Sequence, residues 1–461
     1  MLRGALLLLA AVLGLAAAYS TGNYNDNDRY NNQNNNYYNN QNQQRYNTSQ
    51  QRTKDIFCFL NATNIVRHPF HEVNSDTKGP FTVDIMKPEL CTHIVYNAVE
   101  LDIRSNNIRP VDPEVERDSG SQPTFSQLVY LKERNHHLKL ILSVSGSYLD
   151  FFKLAQDSQR LPQFINNVDQ YLTRIKFDGV NIDWRYPELN QRAAFTTFMT
   201  NLKSALRNHG RLLTTVLHPY KRLVQEVYQQ QQELFDVVDY WFIMIPDLAG
   251  EKMFKSMATA PLKAGEGYDV DHSVTDLKEI FAQHSYKLIL AIPFGGKQIT
   301  TNHENTGFDM NRRGKPLTQE SFAYNKICKI IRNDWKLTWS KDEEVPYAHN
   351  GNRVFTYEDA ESVKIKTLYA MREGLGGVMA YTIDMDDYDG ACTNSGSPYH
   401  NNKKYNDQSY RSSQDSSANK FPLLQSMYDT IQRGPNSAGV HTSSLALVLA
   451  IALAMILQHN A

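Results

Sequence analysis

The sequence feature that most constrains the fold is a regular alternation of short apolar runs with longer helical stretches, beginning near Lys54. This alternation is typical of parallel strands joined by helical crossovers, which form an α/β fold. Because there are eight such runs, we expect a (β/α)8 TIM barrel. The predicted strands are Ile56–Leu60, His93–Val99, Lys139–Val144, Gly179–Asp183, Leu212–Val216, Val238–Ile243, Leu288–Ile292 and Gly377–Tyr381.

The segments between these strands predict helices and one insertion. Residues 298–352 separate the seventh and eighth strands and are too long for a simple connection, so they should fold as a small insertion. Residues 393–419 form a polar loop, and a final helix then closes a barrel domain that spans residues 53–433. The predicted helices are Thr124–Asn135, Leu161–Ile175, Gln191–Asn208, Val274–His284 and Phe421–Arg433.

The N-terminal region has two parts. Residues 1–18 combine the basic Arg3, a short apolar core and three small alanines, which predicts a secretory signal peptide cleaved before Tyr19. Residues 19–52 are dominated by Asn, Gln and Tyr, so they cannot bury enough apolar surface to fold and should form a disordered arm. We therefore expect an extracellular protein.

The C-terminal region, residues 434–461, contains an apolar run, Leu445–Leu457, that is shorter than the roughly 20 residues needed to cross a bilayer. Small residues precede it, with Asn436 and Ser437 as candidate attachment sites. This arrangement predicts a glycosylphosphatidylinositol (GPI) attachment signal and a membrane partner through that lipid. A short membrane span and a buried final helix are the alternatives.

The four cysteines can pair in three ways, and export would allow them to be oxidised. The economical pairing joins Cys58 to Cys91 and Cys328 to Cys392. Their spacing does not match a zinc site, and we expect neither a metal nor a cofactor.

Two further features concern possible partners. Asn47 and Asn61 begin Asn-x-Ser/Thr sequences and are candidate glycosylation sites. A net charge of -1, with dispersed basic residues, gives no electrostatic basis for binding nucleic acid.

The most informative polar residues lie on the fourth predicted strand, where residues 178–187 read DGVNIDWRYP. Alternate strand residues point to the same face, so Asn181, Asp183 and Arg185 should point together, and Trp184 should pack outward against the helices. At the C-terminal end of a barrel strand, such residues face the mouth where TIM-barrel chemistry occurs.

This stretch resembles the signature of glycoside hydrolase family eighteen, the chitinase family, which reads DGxDxDWEYP. In that family the final Glu is the general acid and the preceding Asp orients the acetamido group of the substrate. The acetamido carbonyl then attacks the sugar carbon, so no enzyme nucleophile is required. The resemblance covers nearly all of the predicted barrel domain and implies the same fold, with an α+β insertion between strands seven and eight.

Three positions depart from the family pattern. Arg185 stands at the position of the acid, and a guanidinium cannot deliver a proton to a leaving oxygen. Asn181 replaces the second Asp, and Pro246 replaces the Tyr that supports the acetamido carbonyl in the family. Because loss of a general acid alone costs about 10²–10⁴ in rate, we expect a protein that is not an enzyme.

Other family positions are retained or altered less severely. Asp178, Asp183 and Asp247 remain, and we expect them to hold the barrel mouth rigid. Tyr381 stands at the position of the family's platform Trp, and Phe59 lies on the first strand. Tyr381, Asp183, Asp247 and Phe59 are the carbohydrate-binding candidates. We further hypothesise that Arg185 pairs with both Asp183 and Asp247.

The resemblance therefore predicts a non-catalytic, chitinase-like extracellular protein. Its expected ligand is chitin or another glycan that contains N-acetylglucosamine, and a protein receptor would give it a signalling role. A structural or adhesive surface protein that uses the barrel as a scaffold is the alternative. A residual chitin hydrolase is disfavoured by Arg185 and Pro246.

Overall fold

The structure is a computed structural model, and the residues described are 54–65, 81–111, 124–228, 232–248, 258–264, 268–300, 318–332, 334–392 and 420–434. The predictions for residues 1–52, 393–419 and 435–461 lie outside these ranges. They include the signal peptide, the arm with Asn47, the polar loop and the anchor signal with Asn436 and Ser437. Within the described ranges, no helix is both long and apolar enough to cross a bilayer.

Eight parallel strands close into a barrel, because the first strand pairs with both the second and the last. All eight lie where the apolar runs predicted them, with ends that shift by a few residues. An additional short strand, Asn107–Pro110, forms a hairpin with the second barrel strand and was not predicted. The barrel strands and β3 are β1 Asp55–Asn61, β2 His93–Asp102, β3 Asn107–Pro110, β4 Lys139–Ser145, β5 Gly179–Asp183, β6 Leu212–Leu217, β7 Tyr240–Ile243 and β8 Leu288–Pro293, with β14 Gly377–Tyr381 as the last.

Helices surround the barrel and start at recognisable caps. Ser147 accepts a hydrogen bond from the backbone N–H of Leu149 at the start of one helix, and Asp359 forms a capping box with Ser362 at another. The described α-helices are Thr124–Arg134, Tyr148–Gln156, Arg160–Ile175, Arg192–Arg207, Lys221–Tyr228, Gln232–Val237, Val270–Phe281, Tyr324–Ile330, Ala360–Arg372 and Pro422–Arg433.

The insertion between β8 and β14 is a five-stranded antiparallel sheet with the helix Tyr324–Ile330 against it. It extends from Gly295 to Thr356, beyond the predicted 298–352 at both ends, because its first strand begins almost directly after β8 and pairs with its last strand. The α+β character implied by the resemblance is present. Its strands are β9 Gly295–Thr300, β10 Thr318–Ala323, β11 Lys336–Ser340, β12 Val345–Asn350 and β13 Arg353–Thr356.

Two apolar layers hold the barrel together. On β1, Phe57 and Phe59 point into the barrel, whereas Ile56, Cys58 and Leu60 belong to the layer between strands and helices. This alternation follows from the period-two geometry of a strand, and it decides which residues can reach the mouth.

The cysteine pairing is confirmed, and both bridges tie distant parts of the domain together. Cys58 on β1 is bonded to Cys91, and Cys328 in the insertion is bonded to Cys392 after β14. The second bridge therefore fastens the insertion to the segment that follows the last barrel strand.

Candidate functional site

The site is the layer of inward-pointing residues at the C-terminal ends of the barrel strands. The strand registers pair Asn61 with Asn97 and Ser145 with Asp183, and Tyr381 closes the ring beside β1. These polar side chains lie above an apolar interior that includes Phe59 and Met379. The mouth can therefore present hydrogen-bonding groups and one aromatic ring to a ligand.

Arg185 occupies this mouth in an ion pair with Asp183. Its Nε donates to Asp183 Oδ1 at 2.6 Å and its Nη2 donates to Asp183 Oδ2 at 3.2 Å. The Asp183 side chain is only 7% exposed, whereas the Arg185 side chain is 29% exposed. The bidentate geometry is the one that guanidinium and carboxylate groups favour. The predicted Arg185–Asp183 pair is thus confirmed.

The second part of that hypothesis, a pair between Arg185 and Asp247, stays a prediction. Asp247 lies in the short 3-10 turn Ile245–Leu248 after β7, and its side chain is outside the described part of the chain. Pro246, in the same turn, is half-buried. A proline side chain has no hydroxyl, so this position cannot donate a hydrogen bond to an acetamido carbonyl.

Asn181 is buried within the barrel, one layer below the mouth. Its Nδ2 donates to Ser143 Oγ at 2.9 Å, and its Oδ1 accepts from Thr214 Oγ1 at 3.0 Å. All three side chains are fully buried, so the amide is satisfied by its neighbours on both sides. Asn181 links three adjacent strands.

Asp178 does not belong to the mouth, and the expectation that it holds the mouth rigid is wrong. It precedes β5 and therefore lies at the opposite end of the barrel, about 17 Å from Asp183 at the strand rise of roughly 3.3 Å per residue. Its carboxylate accepts from Lys132 Nζ at 2.6 Å and from the backbone N–H of Leu140 at 2.8 Å. Asp178 fastens a helix and a neighbouring strand.

Phe59 also fails as a carbohydrate-binding candidate, because none of its surface is exposed. Its ring lies 5.2 Å from that of Tyr381 and 6.4 Å from that of Phe242. Phe59 supports Tyr381 from inside the barrel. Tyr381 itself is partly exposed at the end of β14 and remains a candidate for stacking on a sugar.

The structure adds mouth residues that the sequence analysis did not identify. Tyr186 directly follows Arg185, and its ring packs edge-to-face against that of the buried His218 with 4.8 Å between the ring centroids. Asn97 ends the inward-pointing series of β2, and its Oδ1 is buried and accepts no hydrogen bond from the described residues. The strand parity that selected Asp183 could have identified Asn97 as well.

Two carboxylates in the described part of the chain, Glu188 and Asp386, are not placed to replace the family's acid. Glu188 is exposed and forms a capping box at the short 3-10 helix Leu189–Gln191. Burial raises the pKa of Asp386 to about 7, but this carboxylate has no exposed surface and accepts from the first-turn amides of Leu423 and Leu424. Asp386 caps the final helix. Among the described residues, no cluster of three or more His, Cys, Asp or Glu is placed to hold a metal ion.

The tryptophans near these strands are structural. Trp184 is fully buried outside the barrel and stacks on Phe151 at 5.3 Å, as its parity predicted. Trp241 is equally buried, against Tyr228 and Phe281. In the insertion, Trp335 belongs to the local core.

Comparison with known proteins places this site in a family. The model of "Glycosyl hydrolases family 18" matches residues 37–386, well over half of the chain. "Probable chitinase 2" of Drosophila melanogaster is 26% identical over 404 residues, which cover 81% of this chain and 80% of the relative. "Chitinase-3-like protein 2" of Homo sapiens is 28% identical over 347 residues, which cover 70% and 86% respectively.

A solved structure has the same fold. Human YKL-39, described as a pseudo-chitinase with retained chitooligosaccharide binding properties, aligns with a TM-score of 0.65 at 23% identity, over 82% of this chain and 100% of that one. Chitinases and a pseudo-chitinase are thus both among the similar proteins, and the residues at the mouth must decide between those activities. The chain belongs to family 18 of the glycosyl hydrolases.

Proposed function

We propose that this chain is a non-catalytic, chitinase-like protein that binds glycans built from N-acetylglucosamine. The observation that carries the proposal is Arg185, which stands at the position of the family's general acid and is paired with Asp183. A guanidinium stays protonated at ordinary pH and is too weak an acid to transfer a proton to the leaving oxygen. The pair also engages the Asp that orients the acetamido group in active relatives.

Ligand binding is supported by what remains at the mouth. Tyr381 offers a partly exposed aromatic face, and the half-buried Ser145 offers a hydroxyl oxygen beside Asp183. Sugar rings bind proteins by packing on aromatic faces and by hydrogen bonds to their hydroxyl and amide groups. The chito-oligosaccharide binding described for human YKL-39 supports the same ligand class for this chain.

The test combines binding and turnover on one purified protein. Calorimetric titration with N-acetylglucosamine tetramer should show binding, and a fluorogenic chito-oligosaccharide should not be cleaved above the buffer rate. Tyr381→Ala should weaken binding about tenfold, equivalent to ~1.4 kcal/mol. Tyr130→Ala, at a 61% exposed tyrosine on an outer helix, is the matched control and should not change binding. Turnover abolished by a single cleft substitution would refute the non-catalytic reading.

A scaffold function is the second candidate, and the filled mouth favours it. The Arg185–Asp183 pair occupies space that a substrate would need, so the barrel would serve only to display other surfaces. In that case no chito-oligosaccharide would bind, and the Asn/Gln/Tyr-rich arm at residues 19–52 would mediate adhesion or structure. Absence of binding to both soluble oligomers and solid chitin would favour this function over the first.

The location proposed for either function is the cell surface, through the signal peptide at residues 1–18 and the GPI signal at residues 434–461. A receptor would then be reached from outside the cell. Release of the protein from intact cells by a phosphatidylinositol-specific phospholipase tests the anchor. A chain that stays bound after this treatment would contradict it.

A further inference from the structure

The starting point is the position of Asn61 at the end of β1. Its sequence, Asn61-Ala62-Thr63, is a glycosylation acceptor. Asn61 shares its strand parity with Phe57 and Phe59, which point into the barrel. The acceptor therefore lies at the barrel mouth, on the side where a ligand would enter.

The local geometry leaves the reactive atom of Asn61 accessible. Its Oδ1 accepts from the backbone N–H of Thr63 at 3.1 Å and from Thr63 Oγ1 at 2.9 Å. Its Nδ2, the atom that carries an N-linked glycan, makes no hydrogen bond to any described residue. Asn61 is half-buried and Thr63 is exposed. The side chain is thus fixed by its oxygen and free at its nitrogen.

The backbone at this point is also held in place. Asp384, just beyond β14, accepts from the backbone N–H of Asn61 at 3.2 Å and from Asn64 Nδ2 at 2.6 Å. These bonds cross from the first strand to the segment after the last one. A glycan attached at Asn61 would therefore start from a fixed point, which raises its effective concentration at nearby surfaces.

The candidate ligand-binding group close to that starting point is Tyr381. It pairs with Phe59, which lies only two residues, about 7 Å, below Asn61 on the strand. The side chain of Tyr381 is partly exposed at the mouth. Its ring is therefore within reach of the first sugars of an attached glycan.

We infer that Asn61 carries an N-glycan whose first two sugars lie over the barrel mouth and bind it as a ligand from the same molecule. An N-linked glycan begins with two β1,4-linked N-acetylglucosamine units, which is also the repeating unit of chito-oligosaccharides. This inference rests on the proposed function, because it requires an exported chain and a mouth that binds such sugars. The glycan at Asn61 then competes with any external oligosaccharide.

The size of this competition follows from tethering. A sugar held at an effective concentration of about 1 mM, with an intrinsic Kd of about 0.1 mM, weakens the apparent affinity for an external ligand about tenfold. Removing the glycan should therefore strengthen binding of a soluble oligomer by the same factor.

The experiment uses the full chain secreted from animal cells. Mass spectrometry measures the occupancy of Asn61, and calorimetry measures the Kd for N-acetylglucosamine tetramer. Asn61→Gln and Thr63→Val both remove the acceptor sequence, and each should bind the tetramer about tenfold more tightly than wild type. Thr63→Ser keeps the acceptor and Asn47→Gln removes the other acceptor, so neither should change the Kd.

The outcomes separate the inference from the proposed function. An unoccupied Asn61, or an occupied one whose removal leaves the Kd unchanged, overturns the inference, and binding by the wild type would still support the proposed function. Absence of binding in wild type and all variants overturns both. If Asn61→Gln and Thr63→Val fail to fold, enzymatic removal of the glycan from folded wild type gives the same comparison. A tenfold gain supports the inference and an unchanged Kd contradicts it.

Discussion

The pair between Arg185 and Asp183 predicts a large coupling energy. Arg185→Met keeps the apolar stem and removes the donors, Asp183→Asn keeps the shape and removes the charge, and a double-mutant cycle isolates the interaction. Hydrogen bonds to charged groups contribute about 1.5–3 kcal/mol, and breaking a fully buried pair costs about 3–5 kcal/mol. Because Asp183 is 7% exposed but Arg185 is 29% exposed, we expect a coupling of about 2–3 kcal/mol.

The assay is the free energy of unfolding from urea denaturation of the four proteins. Lys132 and Asp178 provide a matched control, since their N–O distance is also 2.6 Å but their side chains are 28% and 23% exposed. Because both control side chains are partly exposed, solvent screens this pair more than one with a buried carboxylate, and its coupling should be smaller, towards the roughly 0.2–1 kcal/mol of exposed pairs. A coupling below about 0.5 kcal/mol for Arg185–Asp183, or one equal to the control, would refute the argument.

Three further predictions concern activity, packing and pH. Arg185→Glu should leave turnover of a fluorogenic chito-oligosaccharide at the buffer rate, because Pro246 has no hydroxyl to support the acetamido group; strong turnover would show the remaining site to be competent. Phe59→Ala should lower the free energy of unfolding by about 3–5 kcal/mol, since a fully buried ring is removed. Tyr381→Ala should lower it less but should weaken ligand binding. A larger loss of stability in Tyr381→Ala than in Phe59→Ala would contradict the assignment of Phe59 to the core and of Tyr381 to the ligand site. Burial lowers the pKa of His93 to about 4, below its unfolded value of about 6.5, so stability present above pH 6.5 should be lost as the pH falls towards 4. In urea denaturation, the free energy of unfolding should differ between pH 7 and pH 4 by up to about 3 kcal/mol less in His93→Gln than in wild type. If the variant shows the same difference as wild type, His93 is not the cause of the pH dependence.

The fold could be predicted closely because its signal is local. Each barrel strand is a short apolar run that is buried on both faces, and each helix has its own apolar stripe. The outward burial of Trp184 followed from strand parity alone. The hairpin strand β3 was missed because it is short and its partner is an extension of β2 beyond the apolar run.

For the site, the sequence and the tertiary structure supply different information. Arg185 at the acid position, Asn181 and Pro246 are chemical identities, so the sequence by itself determined that the family's proton donor is absent. Only the tertiary structure decided which of the retained polar residues meet. Asp183 ends β5 and Asp178 directly precedes that strand, so two residues only five positions apart lie at opposite ends of the barrel.

The contacts at the mouth could not be predicted from the sequence because they depend on closure of the barrel. β1 and β14 pair although more than 300 residues separate Asp55 from its partner Gly377, and this pairing buries Phe59 beneath Tyr381 and joins Asn61 to Asp384. No local pattern encodes these contacts, since they depend on the register in which the first and last strands meet. The sequence therefore determined which groups this protein has at the ends of its strands, and the closed barrel decided which of them face one another.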